Sequence, residues 1–328
     1  MTKNFIVCIS IAILVLLSLS YNVVSLDQDY RCIYIGGSGE GNFSSINEAL
    51  DIAENGDFIY VYSGVYAERL VINKSVSLIS LGENKTIIDG SDNYFCLNID
   101  CNNVSIYGFT FKNSSSAILI SKSHKNILVK NNSFLKNTNA VLANEDTSFV
   151  NIDSNLFYNN SEGIRFYNCS NSNIVENSFI ENEKYSIIFR NKSNFNNIGN
   201  NRIFYSRIGI YSVDFSDNNT IESNNISNNY CGIYASFCKN VFVNNNYLIN
   251  NSKNAIYISN SGFFNISNNS IMGNDIGIYV DSCCNYTDLE NNIFSGNTQD
   301  IRVKLKPPVI KLPSSQMTVL IIVLFFSF

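Results

Sequence analysis

Tyr211, Tyr234, Tyr257 and Tyr279 follow one another at intervals of 22 or 23 residues, each behind an isoleucine that itself follows a small residue. Stacked one copy above the next at a strand spacing, four such rings make an aromatic strip about 15–20 Å long. Aromatic strips are surfaces on which sugar rings pack, so these four form the candidate ligand-binding set, with a cell-surface or extracellular glycan as its partner. A plainer reading stands beside it: tyrosine suits a pleated surface and pairs with itself across strands for about 0.2–1 kcal/mol. Acid–base chemistry has thinner support. Glycosidases of the usual kind need two carboxyls about 5–9.5 Å apart. Asp153, Glu222 and Glu290 share a column but stand three copies apart, and Glu181 with Glu183 beside Lys184 reads as a solvated corner. Glu145 and Asp146 are neighbours without further acids or a base nearby in sequence, as a calcium site would need. The single histidine, His124, lies in a Ser/Lys-rich stretch. No catalytic residue, metal ligand or cofactor is therefore assigned.

What positions the tyrosines is a repeat that runs from about Tyr94 to Val303. A small residue opens each copy: Ala117, Ala140, Gly163, Ser186, Gly209, Gly232, Ala255 and Gly277, roughly 23 residues apart. The next position is always aliphatic, from Ile118 through Ile278 to Ile301. A second apolar column runs from Ile106 to Leu289 and a third from Phe111 to Phe294. Alternation such as Ile233-Tyr234-Ala235 is the period-two mark of a strand with one buried face. Three columns per copy mean three short strands per coil, and repeats of this length lack the helix-period stretches that a helical solenoid needs. A coil so thin buries its apolar edge only by stacking on its neighbours. The fold expected is an all-β, single-stranded right-handed parallel β-helix of about 10–11 turns, over residues 57–303.

Asparagine forms two columns of its own. Asn132, Asn155, Asn177, Asn201, Asn224, Asn246, Asn269 and Asn292 precede the third apolar column by two residues. Asn137, Asn160, Asn182, Asn229, Asn251, Asn274 and Asn297 follow it by three, with Ser206 in the gap. Asn tolerates the left-handed conformation of a tight corner, and its amide can bond the same amide one turn away. The expectation is that these residues do both.

Residues 26–56 are expected to cap the first turn. Ile46, Ala49, Leu50 and Ala53 have helical spacing, Ser45 with Glu48 makes a capping box, and Gly56 ends the helix. Ahead of the cap, residues 1–25 have the form of a secretory signal, Lys3 before an apolar run, with an uncleaved membrane anchor as the other reading. Eight cysteines remain beyond Cys8, and an even number permits disulfides in an exported protein. Cys169, Cys238 and Cys283 share a column too widely spaced for a bridge, so no pairing is assigned. Fifteen Asn-X-Ser/Thr sites occur, among them Asn42, Asn73, Asn84, Asn113, Asn191, Asn218 and Asn285, and these seven are the candidate glycosylation sites. The net charge of −5 and pI near 5.0 leave no basic footprint for nucleic acid.

The stretch Tyr62–Gly90, YSGVYAERLVINKSVSLISLGENKTIIDG, resembles the opening of proteins of the pectin-lyase-like superfamily, especially the NosD-type β-helix domain and the start of pectin methylesterases. The resemblance implies the fold and a carbohydrate-active enzyme as the alternative function. Pectin methylesterases use an Asp pair with Arg and Gln. Only Val213-Asp214-Phe215 is similar to one of those segments, so that activity is not carried over. The NosD name implies copper-site assembly, yet there is no Met or His cluster of the kind a soft metal selects.

After Val303 the repeat gives way to a Lys/Pro linker, 304–316, and an apolar tail, 317–328. The tail is short of the roughly 20 residues that span a bilayer. Three readings stand for it: a shallow membrane anchor, a plug over the last turn, or a processed sorting tail. The main expectation is an exported, surface-associated rod that binds or supports, with carbohydrate as its ligand.

Overall fold

A computed structural model describes residues 31–82, 85–91, 94–281 and 283–304, the side chains of 285 and 286 excepted. The expected signal peptide, the apolar tail and all of the linker but Lys304 lie outside the described residues. Among those residues the chain winds into a right-handed parallel β-solenoid with three sheets of 13, 11 and 11 strands. Sheet A runs from Cys32–Ile35 to Asn285–Glu290, sheet B from Gly64–Tyr66 to Ile293–Ser295, and sheet C from Leu70–Ile72 to Gln299–Val303. Cys32–Ile35 pairs in parallel with Phe58–Val61, so the segment expected only to cap also supplies the first rung and brings the coil to about twelve turns.

The three apolar columns stack in register. Ile164, Ile187, Ile210 and Ile233 are successive partners in sheet C, Ile174, Ile198 and Ile221 in sheet A, and Phe134, Phe157 and Phe179 in sheet B. All are buried, and the phenylalanine rings stack at 4.5–4.8 Å. The small residue that opens each copy has a steric cause: a Cβ on Gly163 would lie 2.4 Å from the Ser186 carbonyl oxygen of the next turn.

Both asparagine columns are buried ladders. Asn201, for example, donates from Nδ2 to Asn224 Oδ1 at 3.0 Å and from its backbone N–H to the same oxygen at 2.9 Å. The left-handed half of the expectation falls one residue earlier. Positive φ belongs to Asn131, Ser154, Glu176, Asn200, Ser223 and Asn245, each just before a ladder residue. The corner residue turns the chain so that the next amide points inward. At Ser206 the second ladder lacks an amide, and the Ser186 hydroxyl fills in at 2.8 Å.

The helix forms over Ile46–Ile52 and lays Ile46, Ala49 and Leu50 onto the core. Ser45 caps it by accepting from Glu48 N at 3.4 Å. Glu48 does not reach back to close the box; Ser44 Oγ donates to it instead. Glu68, from the corner after Gly64–Tyr66, takes the helix N–H groups. No disulfide forms among the described residues. Cys284, not Cys283, continues the Cys238 column: Cys238 Sγ donates to Ser212 O and Cys284 Sγ to Ile258 O, each 26 residues back.

Candidate functional site

The outward files of sheet C carry the chemistry. Leu142, Arg165, Ile188, Tyr211, Tyr234, Tyr257, Tyr279 and Arg302 are successive partners, so the four tyrosines do form one column. Their centroids stand 5.1, 4.8 and 4.9 Å apart, with interplanar angles of 25°, 7° and 4°. Tyr185, from the neighbouring file, extends the column by leaning on Tyr211 at 4.9 Å. Sequence position gave no sign of this, because Tyr185 pairs with Ile208. Parallel rings this close overlap in an offset stack. Their faces are turned toward one another, and the column offers solvent its edges and hydroxyls. A strip of open faces for sugars, expected from sequence, is not what the stack presents. Burial pushes the Tyr211 and Tyr257 hydroxyls above the usual phenol range, so they remain protonated donors at neutral pH. Arg190 and Arg302 close the two ends, 5.6 Å from the Tyr211 centroid and 5.8 Å from that of Tyr279.

Ahead of the tyrosines the same face holds a shallow cleft of about 630 Å³, lined by Asp100, Lys122, Leu142, Glu145, Arg165 and Tyr167, with Ser121 and Asn144 beneath. Glu145, isolated in sequence, here has Asp100, Lys122 and Arg165 for company. Arg165 donates to Glu162 at 2.7 Å, and His124 Nε2 lies 3.2 Å from Asp100 Oδ1. Several polar atoms on this face are buried without a hydrogen-bond partner: Asn139 Oδ1, Glu162 Oε2, Arg165 Nε, Arg190 Nε and Asn254 Oδ1. A buried group left so costs about 1–3 kcal/mol. Four more such atoms lie on the other two sheets, at Asn151, Asn197, Asn225 and Thr287, so these orphans are not particular to sheet C.

Other candidates are dispersed. Asp153, Glu222 and Glu290 are three register steps apart on sheet A, about 14 Å at one strand spacing per turn. Asp153 is held by Lys130 at 2.7 Å. Asp214 and Phe215 sit exposed at a corner with left-handed backbone. Of the candidate glycosylation sites, Asn73 is exposed, while Asn113, Asn191 and Asn218 occupy left-handed corners. Asn42 donates into the loop at Gly36 O. Asn84 and the Asn285 side chain lie outside the described residues. The buried thiols are inert: desolvation pushes Cys169 and Cys231 up to about 12 and Cys96 and Cys238 up to about 11.

With this geometry in place, the likenesses to known proteins are as follows. A family model described as periplasmic copper-binding protein (NosD) matches residues 22–230 and 209–307. A probable pectinesterase/pectinesterase inhibitor of Arabidopsis thaliana is 50% identical over 60 residues, which are 17% of this chain and 12% of that relative. Polygalacturonase from Erwinia carotovora superposes with a TM-score of 0.61 at 14% identity, covering 87% of this chain and 99% of that one. The A-module of the mannuronan C-5 epimerase AlgE6 of Azotobacter vinelandii gives 0.55 at 13%, covering 80% and 93%. The Streptococcus pneumoniae surface adhesin PfbA gives 0.54 at 16%, covering 82% and 92%. At such identities these structures establish the shared fold.

Proposed function

This chain belongs to the NosD family, and from that premise and the geometry of sheet C we propose that it is an exported β-helix protein that binds polysaccharide along the outer face of that sheet. The observation that carries the reading is the continuity of the face. Cleft and arginine-capped tyrosine column lie on one set of files in register. The hydroxyls recur once per turn, at a spacing close to one hexopyranose of an extended chain. Solved relatives described as acting on polygalacturonate or mannuronan, and one described as a surface adhesin, support polysaccharide and export. So does the family's periplasmic description.

The test retains the ring stack and removes the hydroxyls. Tyr234→Phe with Tyr257→Phe weakens binding about tenfold on a polysaccharide panel, at about 0.5–1.5 kcal/mol per lost hydrogen bond. Equal affinity of variant and parent for every glycan the parent binds refutes this use of the column. A second reading, cleavage or epimerisation of the bound chain, draws on the cleft, where Asp100 and Glu145 stand with Lys122, Arg165 and Tyr167. Release of reducing ends or unsaturated products, or a changed ratio of uronate epimers in an intact chain, favours it in the same panel.

The copper implied by the family description does not fit these residues. Cu(I) selects thiolate and thioether donors. The buried thiols here are held protonated, and the one histidine bonds Asp100. Among the described residues no three His, Cys, Asp or Glu side chains are placed to hold one metal ion. Purified full-length protein should retain well under one copper per chain after dialysis, and its buried thiols should react with a disulfide reagent only on unfolding. Stoichiometric copper by elemental analysis overturns this.

A further inference from the structure

Where sheet C turns into sheet A, each coil from Asn103 to Phe263 has one to three residues in left-handed backbone. Asn, which accepts that conformation best, holds it most often, as at Asn126, Asn171, Asn218 and Asn240. Phenylalanine holds it in the corner at Phe195, Phe215 and Phe237, with φ of 57°, 62° and 57°, and just inside the sheet A strands Thr147–Asp153 and Gly262–Ser267 at Phe149 and Phe263, with φ of 54° and 56°. A bulky side chain is an outlier there. Each of these residues is also 49–60% exposed, so about half of its surface faces solvent. At the other two corners the left-handed slots are polar or glycine, such as Ser154, Glu176, Lys136 and Asn159, with Tyr205 the only aromatic among the described residues. The phenylalanines are therefore confined to one edge. Corner hydrogen bonds set their order: Phe195 N donates to Asp217 O, Phe215 N to Phe237 O, and Phe237 N to Ser259 O, so that from Phe195 to Phe263 every turn presents one. Phe149 lies two turns before Phe195.

We propose that this edge, in the turns from Phe195 to Phe263, is a docking ridge for a solid, uncharged polysaccharide surface, beyond the turns that line the cleft and independent of the tyrosine column of sheet C. The edge is convex, so it cannot enclose a small soluble ligand and instead meets something flat. Phe215 and Phe237 are 6.3 Å apart and tilted by 51°, so their faces are not consumed in a mutual stack as those of the tyrosines are. An open ring face packs on the C–H face of a pyranose. Lys192 and Lys239 are matched by Asp214 and Asp217 on the same edge, which gives no pull toward a polyanion or an acidic membrane. The interleaved amides of Asn171, Asn218 and Asn240 would lose their water without replacement in a lipid interface. On a polysaccharide they meet hydroxyls.

The experiment uses full-length protein with Phe195→Asn, Phe215→Asn and Phe237→Asn combined, which gives these slots the residue their backbone prefers. Parent protein should be depleted from solution by microcrystalline cellulose or chitin, and the triple variant should bind at least tenfold less. Its thermal midpoint should be unchanged or raised, because strain is relieved. The Tyr234→Phe, Tyr257→Phe protein should still bind the solid, which separates this ridge from the sheet C face. Four outcomes overturn the proposal: full binding by the triple variant, no binding of parent to either solid, a lowered thermal midpoint, or parent binding to neutral-lipid vesicles instead.

Discussion

Asn224→Ala lowers the stability of the turns around it by about 3–6 kcal/mol, more than any surface change in this protein. Asn224 Oδ1 accepts from Asn201 N and Asn201 Nδ2, and the two Nδ2 hydrogens are shared among Ile198 O, Glu222 O and Asn246 Oδ1, at 2.9–3.0 Å. At most four full bonds vanish with the amide, and most of their partners are buried where water cannot replace it. The damage stays local at first, because in a solenoid each turn contacts only its neighbours. Amide exchange should therefore accelerate around residues 198–246 before the ends respond, and the urea midpoint should fall. Asn245→Ala is the control. Asn245 is exposed at φ 54° and outside the ladder, so its loss costs roughly 1–2 kcal/mol of backbone preference. Equal losses in the two variants would show that the ladder carries no special share of stability.

The two roles of asparagine also explain how far the sequence could be read. Aliphatic files such as Ile187–Ile210–Ile233 are legible because every copy repeats them at nearly constant spacing. The ladders are legible as columns, but many ladder residues sit in doublets such as Asn131-Asn132, Asn200-Asn201 and Asn245-Asn246. Composition cannot tell which member turns the corner and which points inward. Likewise, a column of tyrosines fixes where the Cα atoms stack and says nothing of side-chain torsions, so the closed ring stack was hidden. The cleft draws Asp100, Lys122, Glu145 and Arg165 from separate turns, some on strands and some on corners of varying length. Pairwise spacing left Glu145 alone. The phenylalanine ridge escapes for a related reason, since Phe195 and Phe215 occupy different left-handed slots of their corners and never form one column.

Glu68→Ala releases the N-terminal helix and exposes that end of the rod. The first N–H groups of a helix have no partner within it. Here Glu68 accepts from Ile46 N and Asn47 N at 3.0 Å, from Ser45 Oγ at 2.7 Å and from Asn47 Nδ2 at 2.9 Å. Bonds to an ionised acceptor are worth about 1.5–3 kcal/mol each. Glu68 is half-exposed, so water recovers part of the loss, and about 2–4 kcal/mol of local stability remains at stake. Alanine should then speed amide exchange in Ile46–Ile52 by roughly 30- to 1,000-fold while leaving sheet B unchanged. Glu68→Gln keeps one acceptor oxygen without the charge and should fall between. Ile46, Ala49 and Leu50, the buried face of this helix, become accessible when it lifts, and so does the core end of the first rung. An uncovered end of a parallel solenoid is a template for another chain, so the alanine variant should also self-associate with increasing concentration. Unaltered exchange in the helix, with the variant monomeric at all concentrations, would mean that Ser45 and core packing hold the helix without Glu68.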